Sequence, residues 1–162
     1  MAWLTALTSG LPTCLVLTRQ NLPQYEGACP CQMKKGGYVL SDCDKTPDVL
    51  LMASGSEVEQ ILAAQKVLAD EGIAARVISM PCMELFLKQD KAYQESVLPS
   101  AVRARISLEA GATMPWYRFV GLDGKALGMD HFGASAPAAV LFKEYGFTVE
   151  NVVATAKKVL GK

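Results

Sequence analysis

The strongest constraint on the fold is an unbroken run of five apolar residues, Val49–Ala53. A half-buried strand alternates apolar and polar residues, so a continuous run predicts a strand that is covered on both faces. The turn Ser54-Gly55-Ser56 follows at once, and residues 57–70 then carry a helical apolar stripe that ends at Gly72. A buried strand that leads through a short turn into an amphipathic helix is typical of a parallel α/β sheet.

The alternation of strands and helices continues through the rest of the chain. The patterns predict strands at 74–80, 104–109 and 125–129, short helical turns within 83–97, a helix capped by Ser135 and closed by Gly146, and a last helix over 149–160. Strands and helices in this order, without a repeat period, predict an α/β fold, with an open, mainly parallel sheet and helices on both faces.

The first 45 residues differ from the rest of the chain in composition and pattern. A short helix is predicted at Ala2–Leu7 and a strand at Pro12–Thr18, and a proline- and glycine-containing connector follows, with a small extended piece at Tyr38–Leu40. The predicted organisation is a remnant of a preceding domain at 1–23, a linker at 24–45 and the main domain at 46–162. A strand without its partner strands invites pairing, so we expect residues 1–23 to pack on a neighbouring chain or to fold back onto their own domain.

Charge and cysteine content exclude several classes of protein. Sixteen basic and sixteen acidic residues give zero net charge, which disfavours a nucleic-acid or anionic-membrane partner. Residues 1–18 carry no charge, but polar residues, Gly10 and Pro12 interrupt them, which fits neither a signal peptide nor a membrane span. The odd number of five cysteines favours a reducing cytoplasm over a secreted disulfide scaffold.

The close pair Cys29-Pro30-Cys31 lacks the two-residue spacer of a redox motif and the second Cys/His pair of a metal site. We interpret it as two free thiols in a loop, with a functional thiol pair as the alternative.

Two candidate sites lie where parallel strands are predicted to end, which is where open α/β sheets bind ligands. The turn Ser54-Gly55-Ser56 is one, although Ser56 and Glu59 also have the spacing of a helix-capping box. Glu109 is the other, and no second acidic partner is predicted beside it.

Three further residues have chemistry that a site can use. His131, the only histidine, is the default acid–base candidate, but a surface turn with Asp130 explains it equally well. Trp116 and Tyr117 are suited either to stacking on a ring or to the core. Local chemistry alone predicts no complete active site.

Arg19 is the first charge in the chain and follows the predicted strand at 12–18. A guanidinium at a strand end can hold a phosphate in a bidentate grip, and a solvated arginine is the alternative.

Several ordered motifs resemble one family. The string Thr18-Arg19-Gln20-Asn21-Leu22-Pro23 is similar to the signature that closes the pyrimidine-binding domain of transketolases. Blocks in the order of that family follow, namely GGYVL at 36–40, ASGSEV at 53–58, RVISMP at 76–81, YQESVLP at 93–99, EAG at 109–111, FGASAP at 132–137 and FTVENV at 147–152. The chain therefore resembles the C-terminal third of a transketolase, preceded by the last helix and strand of the pyrimidine-binding domain.

The resemblance implies an activity for the parent enzyme. Transketolases move a two-carbon ketol unit from a ketose phosphate to an aldose phosphate in the pentose phosphate pathway, using thiamine diphosphate and a divalent metal, Mg²⁺ or Ca²⁺. It also implies phosphorylated sugars as substrates, a cytoplasmic homodimer, and packing against the remaining transketolase domains. Arg19 matches the arginine that meets the substrate phosphate, and it is the one site residue that the resemblance implies.

The family's diphosphate motif, activating glutamate and active-site histidines have no counterpart in this sequence, so no catalytic, cofactor-binding or metal-binding residue is expected. Leu87 stands where the family usually has an acidic residue, and His131 gains no role. We expect the chain to be inactive alone, with a structural, dimer-supporting or regulatory role. The alternatives are a stand-alone α/β anion-binding module and the C-terminal domain of a related enzyme, such as deoxyxylulose-phosphate synthase or the β subunit of a 2-oxoacid dehydrogenase.

Overall fold

A computed structural model describes residues 2–25 and 28–162. Its five strands are β1 (Tyr38–Ser41), β2 (Val49–Ala53), β3 (Ala75–Ser79), β4 (Arg105–Leu108) and β5 (Lys125–Leu127). They form one sheet in the order β1-β3-β2-β4-β5. The central strand β2 pairs in parallel with β3 and β4, β5 continues in parallel beside β4, and β1 runs antiparallel at the edge. The prediction of an open, mainly parallel sheet is confirmed.

The helices are α1 (Ala2–Thr8), α2 (Pro30–Met33), α3 (Val58–Asp70), α4 (Met83–Leu87), α5 (Lys91–Val97), α6 (Tyr117–Val120), α7 (Ala138–Glu144) and α8 (Val149–Val159), with 3₁₀ turns at Gly55–Glu57 and Met114–Trp116. Buried side chains of α3 and α8 pack on one face of the sheet. Those of α4, α5 and α6 pack on the other face. The predicted placement of helices on both faces is confirmed.

The central strand β2 belongs to both cores because its side chains alternate between the two faces. None of its five side chains has any solvent exposure. Val49, Leu51 and Ala53 lie in the core under α3 and α8. Leu50 and Met52 lie in the opposite core, with Phe86, Trp116 and Phe119.

Strand β1 is tied to the sheet by an ion pair as well as by backbone pairing. Arg76 of β3 donates from Nε and Nη2 to the two carboxylate oxygens of Asp42, at 2.9 and 2.8 Å, and from Nη1 to the carbonyl of Ser96 at 2.8 Å. Burial is the largest single influence on the pKa of Asp42 and raises it, but the hydrogen bonds from Arg76 and Cys43 together with the charge of Arg76 lower that pKa below its usual value. One guanidinium therefore joins the end of β1, the start of β3 and the end of α5.

Two sequence predictions about secondary structure are wrong. Residues 12–18 form no strand, because no other strand in the described residues lies beside them to accept their hydrogen bonds. Ser135 does not cap α7, since Pro137 occupies the N-cap position and the helix begins at Ala138. The extended piece predicted at Tyr38–Leu40 is a full member of the sheet, although it was assigned to the linker.

The N-terminal arm, residues 2–25, behaves differently at its two ends. Its first part leaves large apolar side chains exposed, among them Trp3 (72%), Leu7 (81%), Val16 (90%) and Leu17 (78%). Farther along, Gln20, Asn21 and Leu22 line a groove of about 740 Å³ with residues of α3, α7 and α8, and Tyr25 packs against the core under α3. Met1 and residues 26–27 of the predicted remnant and linker lie outside the described residues.

The Gly36→Ala variant is expected to unfold at a markedly lower urea concentration than the wild-type protein. Gly36 has a φ of +85°, and an added Cβ would lie 2.3 Å from the Cys82 carbonyl oxygen and 2.4 Å from the Phe86 nitrogen. Both contacts are with backbone atoms, so no side-chain rotation relieves them. We expect the free energy of unfolding to fall by about 3 kcal/mol or more.

Gly72→Ala is the matched control, because Gly72 has a φ of +77° but no atom within 4 Å of the added Cβ. Its free energy of unfolding should fall only by the cost of placing alanine in a left-handed backbone conformation, about 1–2 kcal/mol. Equal losses in the two urea titrations would contradict the role assigned to the close approach at Gly36.

The exposed apolar part of the N-terminal arm is expected to drive self-association. Each of these side chains gains about 1.5–3 kcal/mol when it is fully buried, so a few of them suffice to hold two copies together. Light scattering should give a higher mass for the full chain than for a version that begins at Gly36. If both versions are monomeric and equally stable, the arm is inert and the expectation is wrong.

Candidate functional site

The candidate site lies at the carboxyl edge of the sheet, between the ends of the neighbouring parallel strands β2 and β4. Ser54 follows β2 directly and Glu109 follows β4 directly. The Ser54 hydroxyl donates to Glu109 Oε1 at 2.8 Å. The sequence placed both residues at strand ends, and the parallel register of β2 and β4 brings them together.

Glu109 is held on its other side by Trp116. The indole Nε1–H donates to Glu109 Oε2, and the ring itself is 1% exposed in the core beside Phe119. Trp116 is therefore a core residue whose polar atom orients a carboxylate, and its ring is not available to stack on a ligand. Tyr117 is exposed, with its hydroxyl 3.2 Å from that of Thr113.

A second carboxylate, Glu57, lies beside Glu109, so the expectation that Glu109 has no acidic partner is wrong. Glu57 ends the 3₁₀ turn after β2 and is 5% exposed. Its Oε1 accepts a hydrogen bond from the Ala110 N–H at 3.3 Å. Burial raises the pKa of Glu57, and the charge of Glu109 raises it further, against the hydrogen bond from Ala110.

The predicted capping box of Ser56 and Glu59 is not formed. Gly55–Glu57 adopt a 3₁₀ turn, so α3 begins at Val58, and its N-cap residue Glu57 makes no capping hydrogen bond through its side chain. The side chain of Glu57 instead points to the end of β4, where it meets Ala110.

The chemistry of this edge does not suit an anion. Two carboxylates lie there, and the hydroxyl of Ser54 is already engaged by one of them. Residues 2–25 and 28–162 contain no group of three or more His, Cys, Asp or Glu side chains placed to hold a metal ion. The arrangement is two neighbouring carboxylates, each held by hydrogen bonds from other groups of this domain.

His131 and Asp130 lie on an exposed turn. The His131 Nδ1 is 2.9 Å from the Phe132 carbonyl oxygen, and its ring packs on that of Tyr145. Asp130 accepts hydrogen bonds from the Thr113 N–H and hydroxyl at 2.8 and 2.7 Å, and these lower the pKa of Asp130. The histidine thus fits the surface turn that was the alternative to an acid–base role.

Arg19, the predicted phosphate ligand, lies on the N-terminal arm and is exposed to solvent. No hydrogen bond or ion pair joins Arg19 to any other described residue. Its neighbour Thr18 donates to the side-chain oxygen of Gln20 at 2.8 Å. Within the described parts of the chain, the guanidinium is therefore not occupied by another side chain.

Cys29 and Cys31 are joined by a disulfide, so the interpretation as two free thiols is wrong. The Cys29 carbonyl accepts the N–H groups of Gln32 and Met33 at 3.0 and 3.1 Å, which curls the chain into α2. Their Cα atoms are 5.4 Å apart, within the range that a disulfide spans. The sequence prediction compared the spacing of the two cysteines with that of redox motifs, and this comparison does not reveal how the backbone turns at Pro30.

No helix in the described parts of the chain is long and apolar enough to cross a membrane.

Residues 36–148 match the model of the transketolase-like TK C-terminal domain. The chain belongs to the transketolase family. It is 54% identical over 151 residues to transketolase 1 of Escherichia coli K12, covering 92% of this chain and 23% of that protein. It is 50% identical over 159 residues to the probable transketolase of Streptococcus pneumoniae, covering 98% of this chain and 24% of that protein.

The fold agrees with that of solved transketolases. The Leishmania mexicana enzyme superposes with a TM-score of 0.91 at 40% identity, covering 99% of this chain and 23% of that chain. The chain thus spans about a quarter of the length of the transketolases that it matches. The matched length includes the N-terminal arm as well as the sheet domain.

Glu57→Gln is expected to raise the urea midpoint of unfolding at pH 8. A folded-state pKa above the unfolded value means that the folded protein loses stability as pH rises from the unfolded pKa through the folded one. The amide oxygen still accepts from Ala110 and carries no charge. Between about pH 4 and pH 8, wild-type stability should therefore fall relative to that of the variant.

Glu95→Gln is the control of opposite sign. The Ser100 N–H and hydroxyl donate to Glu95 and lower its pKa. Its contribution to stability is present above the unfolded pKa and is lost as pH falls through the folded pKa. This variant should lose stability at pH 8 and little at low pH, so parallel pH profiles for the two variants would contradict both assignments.

Proposed function

We propose that this chain is the C-terminal portion of a transketolase that transfers a two-carbon ketol unit from a ketose phosphate to an aldose phosphate. The match of residues 36–148 to the family's C-terminal domain carries the proposal. The chain's own role is structural, dimer-supporting or regulatory, and it contributes one arginine to the substrate site. The identity of 54% to transketolase 1 of Escherichia coli favours a transketolase over other thiamine diphosphate enzymes.

Thiamine diphosphate and a divalent cation, Mg²⁺ or Ca²⁺, are proposed to bind to other parts of the complete enzyme. The residues at the carboxyl edge of this sheet do not fit the cofactor. At the carboxyl edge, Glu57 and Glu109 would repel a diphosphate, and both oxygens of Glu109 already accept hydrogen bonds. The same repulsion disfavours the alternative of a stand-alone anion-binding module. The isolated chain is therefore proposed to lack transferase activity.

Arg19 is the proposed ligand of the substrate phosphate. It stands within a Thr-Arg-Gln-Asn-Leu-Pro string that matches the family signature, and its side chain is exposed without an ion-pair partner among the described residues. A planar guanidinium can donate two parallel hydrogen bonds to one phosphate. An arginine held in a structural ion pair would not be free to do so.

The proposed partners are phosphorylated sugars, the remaining transketolase domains and a second copy of the enzyme in a cytoplasmic homodimer. The exposed apolar residues of the N-terminal arm support packing against other domains. Zero net charge supports the absence of a nucleic-acid or membrane partner.

Arg19→Ala in the complete enzyme is expected to lower kcat/KM for phosphorylated donors about 10- to 100-fold. A hydrogen bond to a charged group is worth about 1.5–3 kcal/mol, which gives this range. Non-phosphorylated donors never make the contact, so their kcat/KM should change far less. Steady-state kinetics on both kinds of donor measure the difference.

Arg118→Ala is the matched control, because Arg118 is also exposed but lies on α6 in the sheet domain. It should leave both kinds of donor unaffected. An equal loss on both kinds of donor in the Arg19 variant would mean that Arg19 supports structure and does not contact phosphate.

A further inference from the structure

The disulfide between Cys29 and Cys31 closes a ring around the single residue Pro30. A disulfide stabilises a fold mainly by restricting the unfolded chain, and that effect grows with the length of the closed loop. A bridge across one residue therefore adds little stability. Neither cysteine belongs to either core, whereas Met33 of the same short helix packs under α3.

The pair is also open to attack. Cys31 is exposed and Cys29 is half-buried. A small thiol can therefore reach the disulfide to reduce it, and a small disulfide can reach the two thiols to oxidise them. The three other cysteines, Cys14, Cys43 and Cys82, are unbridged. The Cα atoms of Cys29 and Cys31 are 5.4 Å apart, within the range that a disulfide spans. With one residue between them, the two cysteines stay near each other when the bridge is open.

We propose that Cys29 and Cys31 form a reversible thiol–disulfide site that exchanges with low-molecular-weight thiols and disulfides of the glutathione class. A bridge that contributes little to the fold and is accessible from solvent has the properties of a labile disulfide, in contrast to a buried structural one. The proposal rests on the geometry of this pair and does not depend on transferase activity.

The exchange balances as two successive displacements. One protein thiolate attacks a sulfur of oxidised glutathione, which forms a mixed disulfide and releases one glutathione thiolate. The second protein thiolate then attacks the protein sulfur of that mixed disulfide and releases the second glutathione. Two protein sulfurs are oxidised, two glutathione sulfurs are reduced, and the two thiol protons pass to the released glutathione. Excess reduced glutathione reverses both steps.

The site lies on the connection between the N-terminal arm and β1. Closing the ring restrains the turn at Pro30, where the Cys29 carbonyl accepts the first hydrogen bonds of α2. Opening the ring leaves that turn held by backbone hydrogen bonds alone. The redox state of the pair therefore sets how tightly the turn at Pro30 is held.

The test uses the full wild-type chain in buffers of varied glutathione composition under anaerobic conditions. After acid quenching, alkylation of free thiols and digestion with trypsin, the peptide 20–34 reports on this pair alone, because it contains no other cysteine. We expect it to change from two alkylated thiols to an internal disulfide, reversibly. The oxidised fraction should rise from about one tenth to nine tenths over roughly a hundredfold change in [GSSG]/[GSH]².

The peptide 1–19 is the internal control, since Cys14 is its one cysteine and can form a glutathione adduct but no bridge within the peptide. Cys29→Ser and Cys31→Ser should likewise give a single adduct on the peptide 20–34. Three results would overturn the proposal: two thiols that persist in oxidised glutathione alone, two adducts on one peptide, or a bridge that persists in reduced glutathione alone.

Discussion

The parallel pairing of β2 with β4 is the constraint on which the rest of the structure depends. Because β2 is shielded from solvent on both faces, its register with β4 cannot slip without moving apolar side chains between the two cores. That register aligns the ends of the two strands. It therefore determines that Ser54 and Glu109 meet, and that Glu57, three residues beyond Ser54, reaches Ala110.

The two carboxylates at this edge make the end of the sheet where open α/β folds bind ligands acidic. Their hydrogen bonds are made to other groups of the same domain. In many folds of this class, the same position offers free backbone N–H groups to a phosphate. Here, the N–H of Ala110 and the indole of Trp116 are directed at the domain's own carboxylates. The proposed phosphate ligand, Arg19, lies on the arm and not at this edge.

The sequence predicted the elements whose signals are local. The apolar run of β2, the stripe of α8 and the glycine that ends α3 each identify an element without knowledge of the rest of the chain. The failures concern contacts that depend on other segments. Residues 12–18 have the composition of a strand but no partner strand, and Glu57 looked like the first residue of a helix although its contact, Ala110, lies 53 residues away. The Cys29–Cys31 bridge depends on a curl of the backbone that residue spacing does not reveal.

The position of β1 in the sheet also determines an order of assembly. Tyr38 pairs with Ser79, so the edge strand must wait until β3 has been made and has found β2. During synthesis, chains emerge from the N-terminus, and contacts between distant residues form late. The residues of β1 therefore leave the ribosome before those of β3, and β1 has no partner strand until about forty further residues have been added.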